Sequence, residues 1–183
     1  MSGALRCCAD CIARQGKARL FGVATGLLHG AGIRPEDGVR ELDAAAIAEI
    51  FAVHTLGPAL VLKHFLPLLA RNGRAVLAAL SARVGNIGDN APGGRYSYRA
   101  AKAALNQMLH TAAIELRRGH RHATCVALHP GNVNSHGSAP FSKAGPKVQE
   151  PNLAAARLLG VIAGLAAEDS GEFFNHHSKP VPE

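Results

Sequence analysis

A tyrosine and a lysine stand four residues apart in Tyr96-Ser97-Tyr98-Arg99-Ala100-Ala101-Lys102-Ala103-Ala104-Leu105-Asn106, at the start of a strongly helical run. At about 3.6 residues per turn, that spacing puts Tyr98 and Lys102 on one helix face, one turn apart. A phenol of pKa about 10 is a poor acid or base near neutrality, and an ammonium held beside it stabilises the phenolate and lowers that pKa. Such a pair can exchange a proton with a carbonyl or an alcohol. Tyr96 is a second phenol in the run, but only Tyr98 has a lysine four residues on. Read alone, the same spacing also describes two ordinary surface residues of an amphipathic helix. The surrounding elements decide between the readings.

The helix that must carry the pair runs from about Tyr96 to Arg118, with apolar Ala101, Leu105, Leu109, Ala112 and Leu116, and stops at Gly119. Before it, Gly73 to Ser81 is an apolar run that reads as a buried strand ending in a hydroxyl, and a loop leads from Ala82 to Arg95. After it, Ala123 to Gly131 reads as a second buried strand ending in Pro-Gly. Further upstream, Ala4 to Gln15 has helical composition and closes at Gly16, and Leu20 to Ala24 is a short strand leading into Thr25-Gly26. Asp43 caps a long apolar helix reaching Leu69, with a kink or break expected near Gly57-Pro58. Residues 132–150, rich in Ser, Gly, Pro and Lys, read as a substrate loop, Pro151 to Ala167 as a last amphipathic helix, and Phe173-Phe174 as a terminal strand. His176-His177 reads as a polar tail.

Strands alternating with helices predict an α/β fold, and 183 residues at 48% hydrophobic composition make one domain, 1–183, with a helical N-terminal region over 1–18. The net charge of +7 is spread from Arg6 to Lys179 without a long run or interleaved aromatics, which argues against nucleic acid as a partner. No apolar run reaches the ~18–20 residues that span a bilayer, and the N-terminus lacks a signal peptide's continuous apolar segment, so no membrane association and a cytoplasmic location are expected. Cys7, Cys8 and Cys11 read as helix residues, Cys125 as part of a buried strand, and none of the ten histidines shows metal-helix spacing, so no metal is expected.

Ser81-Ala82-Arg83-Val84-Gly85, Tyr96-Ser97-Tyr98-Arg99, Leu128-His129-Pro130-Gly131, Ser138-Ala139-Pro140-Phe141 and Glu168-Asp169-Ser170-Gly171 resemble the C-factor-like branch of the short-chain dehydrogenase/reductase superfamily. The resemblance runs from about Arg19 onward. It implies a Rossmann-like, doubly wound parallel sheet with flanking helices and an NAD- or NADP-dependent oxidoreductase acting on a small-molecule carbonyl or secondary alcohol. Carried over residue by residue, it makes Tyr98 the acid/base and Lys102 its partner and ribose ligand. Ser81, the only hydroxyl between Thr55 and Tyr96, becomes the carbonyl polariser, although Ala82 stands at the usual serine position. His54 stands where the family has a relay Asn. Thr25, Gly26, Pro130, Gly131 and Asn132 fall at cofactor-lining positions, and the helices over 43–70 and 96–118 at the homodimer contact. Val23, Asn86 and Asn132 also depart from the family's residues.

A nucleotide-binding sheet of this kind opens with a strand, a Gly-rich turn and a helix that receives the pyrophosphate. No such turn occurs here. The sequence therefore predicts a partial fold without the first mononucleotide-binding half, with its first strand at a sheet edge and weak cofactor binding. The alternative is a truncated, catalytically silent family member acting as an interaction or signalling protein.

Overall fold

The computed structural model describes residues 2–30, 33–134 and 148–182. In chain order they form α1 (Ser2–Gln15), β1 (Leu20–Val23), α2 (Ala44–Phe51), α3 (Gly57–Phe65), β2 (Ala75–Leu80), α4 (Tyr96–Leu116), β3 (Ala123–His129), α5 (Pro151–Gly164) and β4 (Phe173–Asn175). All strand pairs are parallel, in the order β1-β2-β3-β4, with Leu20 beside Val76, Val76 beside Thr124 and Ala127 beside Phe173. This is the α/β sheet that the alternating elements predicted.

Both faces of the central strands are covered, which is why β2 and β3 read as continuous apolar runs rather than alternating ones. Leu77, Ala79, Cys125, Ala127 and Phe173 face one core with Leu62 of α3 and Leu105 and Leu109 of α4. Val76, Ala78, Val126, Leu128 and Phe174 face the other, with Val161 of α5. β1 is an edge strand, as expected: Val23 is buried while Leu20 is 46% exposed.

The long helix before β2 differs from its sequence reading. Between α2 and α3 the chain stays helical but widens to a π turn over Ala52–Leu56, closed by the Gly57 amide on Ala52 O. Pro58 explains it, because a proline inside a regular helix lacks its N–H and its ring strikes the carbonyl four residues back. Of the kink or break that Gly57-Pro58 predicted, the chain takes the milder form, one widened turn within a continuous helical run. The result is a 25-residue apolar run, Ala44–Leu68, of mean hydropathy 1.7, long and apolar enough by composition to cross a membrane. This corrects the expectation from the sequence that no apolar run reaches the length that spans a bilayer. In the fold Ile50, Leu62, Phe65 and Leu66 of this run lie in the core.

Candidate active site

α4 begins without a side-chain cap of its own. Arg95 before it adopts φ 54, in the left-handed region. The missing cap comes from far upstream. Glu36, 7% exposed, accepts a hydrogen bond from the Ser97 hydroxyl and one from the Ser97 amide at 3.4 Å. A carboxylate on the first turn satisfies free amides and opposes the helix's positive end. The guanidinium of Arg99 donates to Gly94 O, Val84 O and Gly93 O at 2.9, 3.2 and 3.1 Å, tying the loop after β2 to the same turn.

With its first turn fixed, α4 carries Lys102 to the end of β2. Lys102 is 3% exposed and its Nζ donates to Leu80 O at 2.7 Å. The same Nζ lies 5.9 Å from the centre of the Tyr98 ring. Gly85 makes this approach possible: a Cβ there would stand 2.9 Å from both the backbone carbon and the Cβ of Lys102. Gly85→Ala is therefore expected to push α4 away from the end of β2 and to destabilise the fold by about 1–3 kcal/mol, measured by urea unfolding.

The electrostatics differ from the sequence expectation. Burial pushes the Tyr98 phenol up to about 12, against a smaller lowering by Arg95, and burial pulls Lys102 down to about 8. Lys102 spends a donor on Leu80 O, its Nζ lies 5.9 Å from the ring centre, and desolvation decides the phenol's proton. In this state the tyrosine is an acid that holds its proton through neutral pH.

His54, on the π turn, packs edge-on against Tyr98, with ring centres 4.9 Å apart at 80°. It is 1% exposed, and its pKa falls to about 4 through burial first and the Lys102 charge second. Its Nε2 lies 2.6 Å from Leu27 O, and Nδ1 is buried without a partner among the described residues. A neutral imidazole thus walls one side of the phenol. Thr55 locks the turn to α4 by donating to Ala101 O at 3.0 Å. Gly26 passes over His54, where a Cβ would lie 3.9 Å from Cε1, and Thr25 donates to Val53 O at 3.3 Å.

Ser81 is 3% exposed, and its hydroxyl donates to Asn106 Oδ1 at 2.6 Å. Asn106 lies one turn beyond Lys102, so this bond fastens α4 to the strand end and occupies the hydroxyl. Asn86 is 2% exposed, and its side chain accepts the Asp89 amide at 3.0 Å, shaping the loop.

The Pro-Gly turn after β3 is pinned from two sides. Gln149 donates from its side chain to Pro130 O and from its backbone to Asn132 O, the latter at 2.9 Å. Gly131 has φ +79, and a Cβ on it would come within 2.7 Å of Gln149 Nε2 and His176 Cε1. Asn132 is exposed at the rim. His176, read as tail, is half-buried here, with its ring centre 6.3 Å from that of His129. These histidines line an open cleft of about 660 Å³ with Arg83, Asn86 and Lys179, at the carboxyl ends of the strands. Residues 135–147 of the predicted substrate loop, including Ser138 to Phe141, lie outside the described residues.

Among the described residues no cluster of His, Cys, Asp or Glu could hold a metal ion. Cys7, Cys8 and Cys11 are exposed on α1, and Cys125 is buried in β3. The structure thus brings together Tyr98, Lys102 and His54 and keeps the Ser81 hydroxyl on Asn106. Sequence reasoning missed Glu36, Arg99 and Gly85. Gly85 had a signal in its place four residues after the strand-end serine, whereas nothing local marks Glu36, 61 residues from its partner Ser97.

A family model described as "Enoyl-(Acyl carrier protein) reductase" matches residues 11–162. The chain is 34% identical over 143 residues to C-signal of Myxococcus xanthus, covering 78% of this chain and 81% of that protein. It is 35% identical over 147 residues to 1-hydroxy-2-glutathionyl-2-methyl-3-butene dehydrogenase of Rhodococcus sp. (strain AD45), covering 80% of this chain but only 63% of that protein. Among solved structures, the carbonyl reductase Sniffer of D. melanogaster superposes with TM-score 0.86 at 21% identity, covering all of this chain (100%) and 74% of that one. An NADPH-bound carbonyl reductase from chicken fatty liver superposes at 0.78 and 23% identity, with the same 74% of its chain covered. At such identities the structural likeness establishes the fold. The extent of the family match, the 34% identity to C-signal and the Tyr98/Lys102 helix together place this chain in the C-factor-like branch of the short-chain dehydrogenase/reductase superfamily.

Proposed function

We propose that the protein is an NAD(P)-dependent oxidoreductase working in the direction of carbonyl reduction, with Tyr98 as proton donor. The observation that carries this reading is the pair on α4: a phenol that holds its proton up to about pH 12, one turn from a buried amine. Alcohol oxidation needs a phenolate base, which burial disfavours. Carbonyl reduction needs a proton delivered as charge grows on the carbonyl oxygen, which a protonated phenol supplies.

The residues present fit the nicotinamide-ribose end of a dinucleotide. An ammonium has three donors, and Lys102 uses one on Leu80 O, leaving two for ribose hydroxyls. Pro130, Gly131 and Asn132 would flank the nicotinamide, and Thr25 and Gly26 would border the ribose beside His54. When bound, the cofactor supplies the hydride. His54 holds the phenol's plane with a neutral ring, whose Nε2 faces both Leu27 O at 2.6 Å and Leu27 N at 3.1 Å. Ser81 would polarise a carbonyl only after releasing Asn106, so Tyr98 carries the larger share of oxyanion stabilisation. Because no Gly-rich turn is present for the pyrophosphate, affinity for either cofactor is expected to be low. The exposed Met108 and Ile114 of α4, 40% and 50% exposed, support a homodimer through the helices over 43–70 and 96–118.

The sequestered Ser81 hydroxyl favours a second reading, a catalytically silent member acting by association, and kinship to a protein named C-signal supports it. Titration with NADH and NADPH, followed by nicotinamide fluorescence, separates the two. Saturable binding that Lys102→Ala abolishes supports the oxidoreductase. No binding by folded protein up to millimolar cofactor sinks it for this chain alone.

A further inference from the structure

The sequence spreads its cations along the chain, but a parallel sheet brings the segments that enter its strands to one end. Lys17 and Arg19 precede β1, Arg71 and Arg74 precede β2, and Arg117, Arg118 and Arg121 precede β3; all are exposed. The three segments touch. Ala70 N donates to Ala18 O at 2.9 Å, Val76 N to Arg19 O at 2.8 Å, and Ala75 N to His122 O at 3.4 Å. Arg19 Nη1 reaches Asn72 O and Arg74 O at 2.9 and 3.1 Å.

No acidic residue interrupts 16–19, 71–74 or 117–122. Among the described residues the ion pair recorded is Arg83 with Asp89, at the opposite end of the sheet, and none involves these cations; the acidic Glu168, Asp169 and Glu172 lie in the segment entering β4, where Arg117 donates to Glu168 O and Ser170 O. His120, 8% exposed between the loops, has its pKa lowered by burial first and then by Arg71 and Lys17, so it is held neutral within this positive field. Lys17, Arg71, Arg118 and Arg121 make no side-chain hydrogen bond among the described residues and are free to engage a ligand.

We infer that the loops entering β1, β2 and β3 form a docking surface for the phosphate backbone of a nucleic-acid duplex, read without sequence preference. Guanidinium groups match phosphate oxygens bidentately, and the segments hold mostly arginine. They contain no large apolar side chain to enter a bilayer and no Phe, Tyr or Trp to stack on unpaired bases, which disfavours a membrane or a single strand. A duplex instead offers a regular line of phosphates, about one charge per 1.7 Å of axis. The inference is independent of the proposed chemistry, whose site lies at the carboxyl ends of the strands. The scatter of charge in the sequence argued against nucleic acid; the fold reverses the premise of that argument.

The test is fluorescence anisotropy of the full chain with two labelled DNA duplexes of unrelated sequence, repeated with anionic phosphatidylserine vesicles. Both duplexes are expected to bind alike, with dissociation constants on the order of 1–100 µM at physiological salt and an affinity that falls linearly with the logarithm of salt. R71E/R121E is expected to weaken binding about tenfold or more, while R6E/R40E, the same change of net charge away from these loops, changes it by less than about threefold. R118E provides an independent reading should the first double variant fail to fold. Equal losses in the two double variants, no binding at low salt, or capture by vesicles without binding to duplex would overturn the inference.

Discussion

Tyr98→Phe is expected to lower carbonyl reduction by about a hundredfold to ten-thousandfold, the usual contribution of a positioned general acid, measured as single-turnover oxidation of bound NADPH with a reactive carbonyl. The substitution should leave the fold intact, because it removes an oxygen with no hydrogen-bond partner among the described residues and keeps the ring against His54. Unchanged rates in Tyr98→Phe would remove the phenol from the chemistry. The pH profile gives a second signature. A phenol pushed up to about 12 does not titrate in the working range, so the alkaline loss of activity should follow Lys102, near pH 8. Below that pH the ammonium is intact and can hold ribose hydroxyls; above it the charge is lost.

Lys102→Met is expected to stabilise the protein while abolishing nicotinamide binding. Burial lowers the amine from 10.5 to about 8, so the unfolded chain holds the proton more tightly than the native one. A depressed basic group destabilises the fold fully below its native pKa, and the penalty vanishes as pH rises to the unfolded value. At about 1.4 kcal/mol per pKa unit the penalty is about 3 kcal/mol. Loss of the bond to Leu80 O returns about 1 kcal/mol, leaving a net gain of about 2 kcal/mol at neutral pH. Urea unfolding should show this gain at pH 7 and its disappearance above pH 10.5. A Met variant no more stable at pH 7 would mean that Lys102 is solvated in the native state.

The strands and helices were legible because both periodicities are strong: β2 and β3 are apolar on both faces, and α4 repeats apolar residues on the face that meets them. Boundaries moved by a few residues where tertiary contacts decided them. α4 stops at Leu116 and α5 at Gly164, and α3 gives way at Leu66 to a tight turn containing Pro67. Gly57-Pro58 signalled a kink or a break, and the chain answered with a π turn because packing Thr55 onto α4 keeps the run helical. His176 looked like tail because the residues it packs near, His129 and Gly131, lie more than 40 positions away at the end of another strand.

The sequence alone determined the family, the α/β class and the one-turn spacing of Tyr98 and Lys102, since each is carried by residues near one another along a helix or strand. Only the tertiary structure decided the protonation of that pair. Desolvation depends on everything packed around a group, and here it raises the phenol's pKa where the local spacing alone predicted a fall. It likewise decided that the Ser81 hydroxyl faces Asn106, that Glu36 caps α4, and that cations scattered along the chain share one face. Hydrogen bonds and electric fields act through space, and a parallel sheet brings together residues that the sequence keeps far apart.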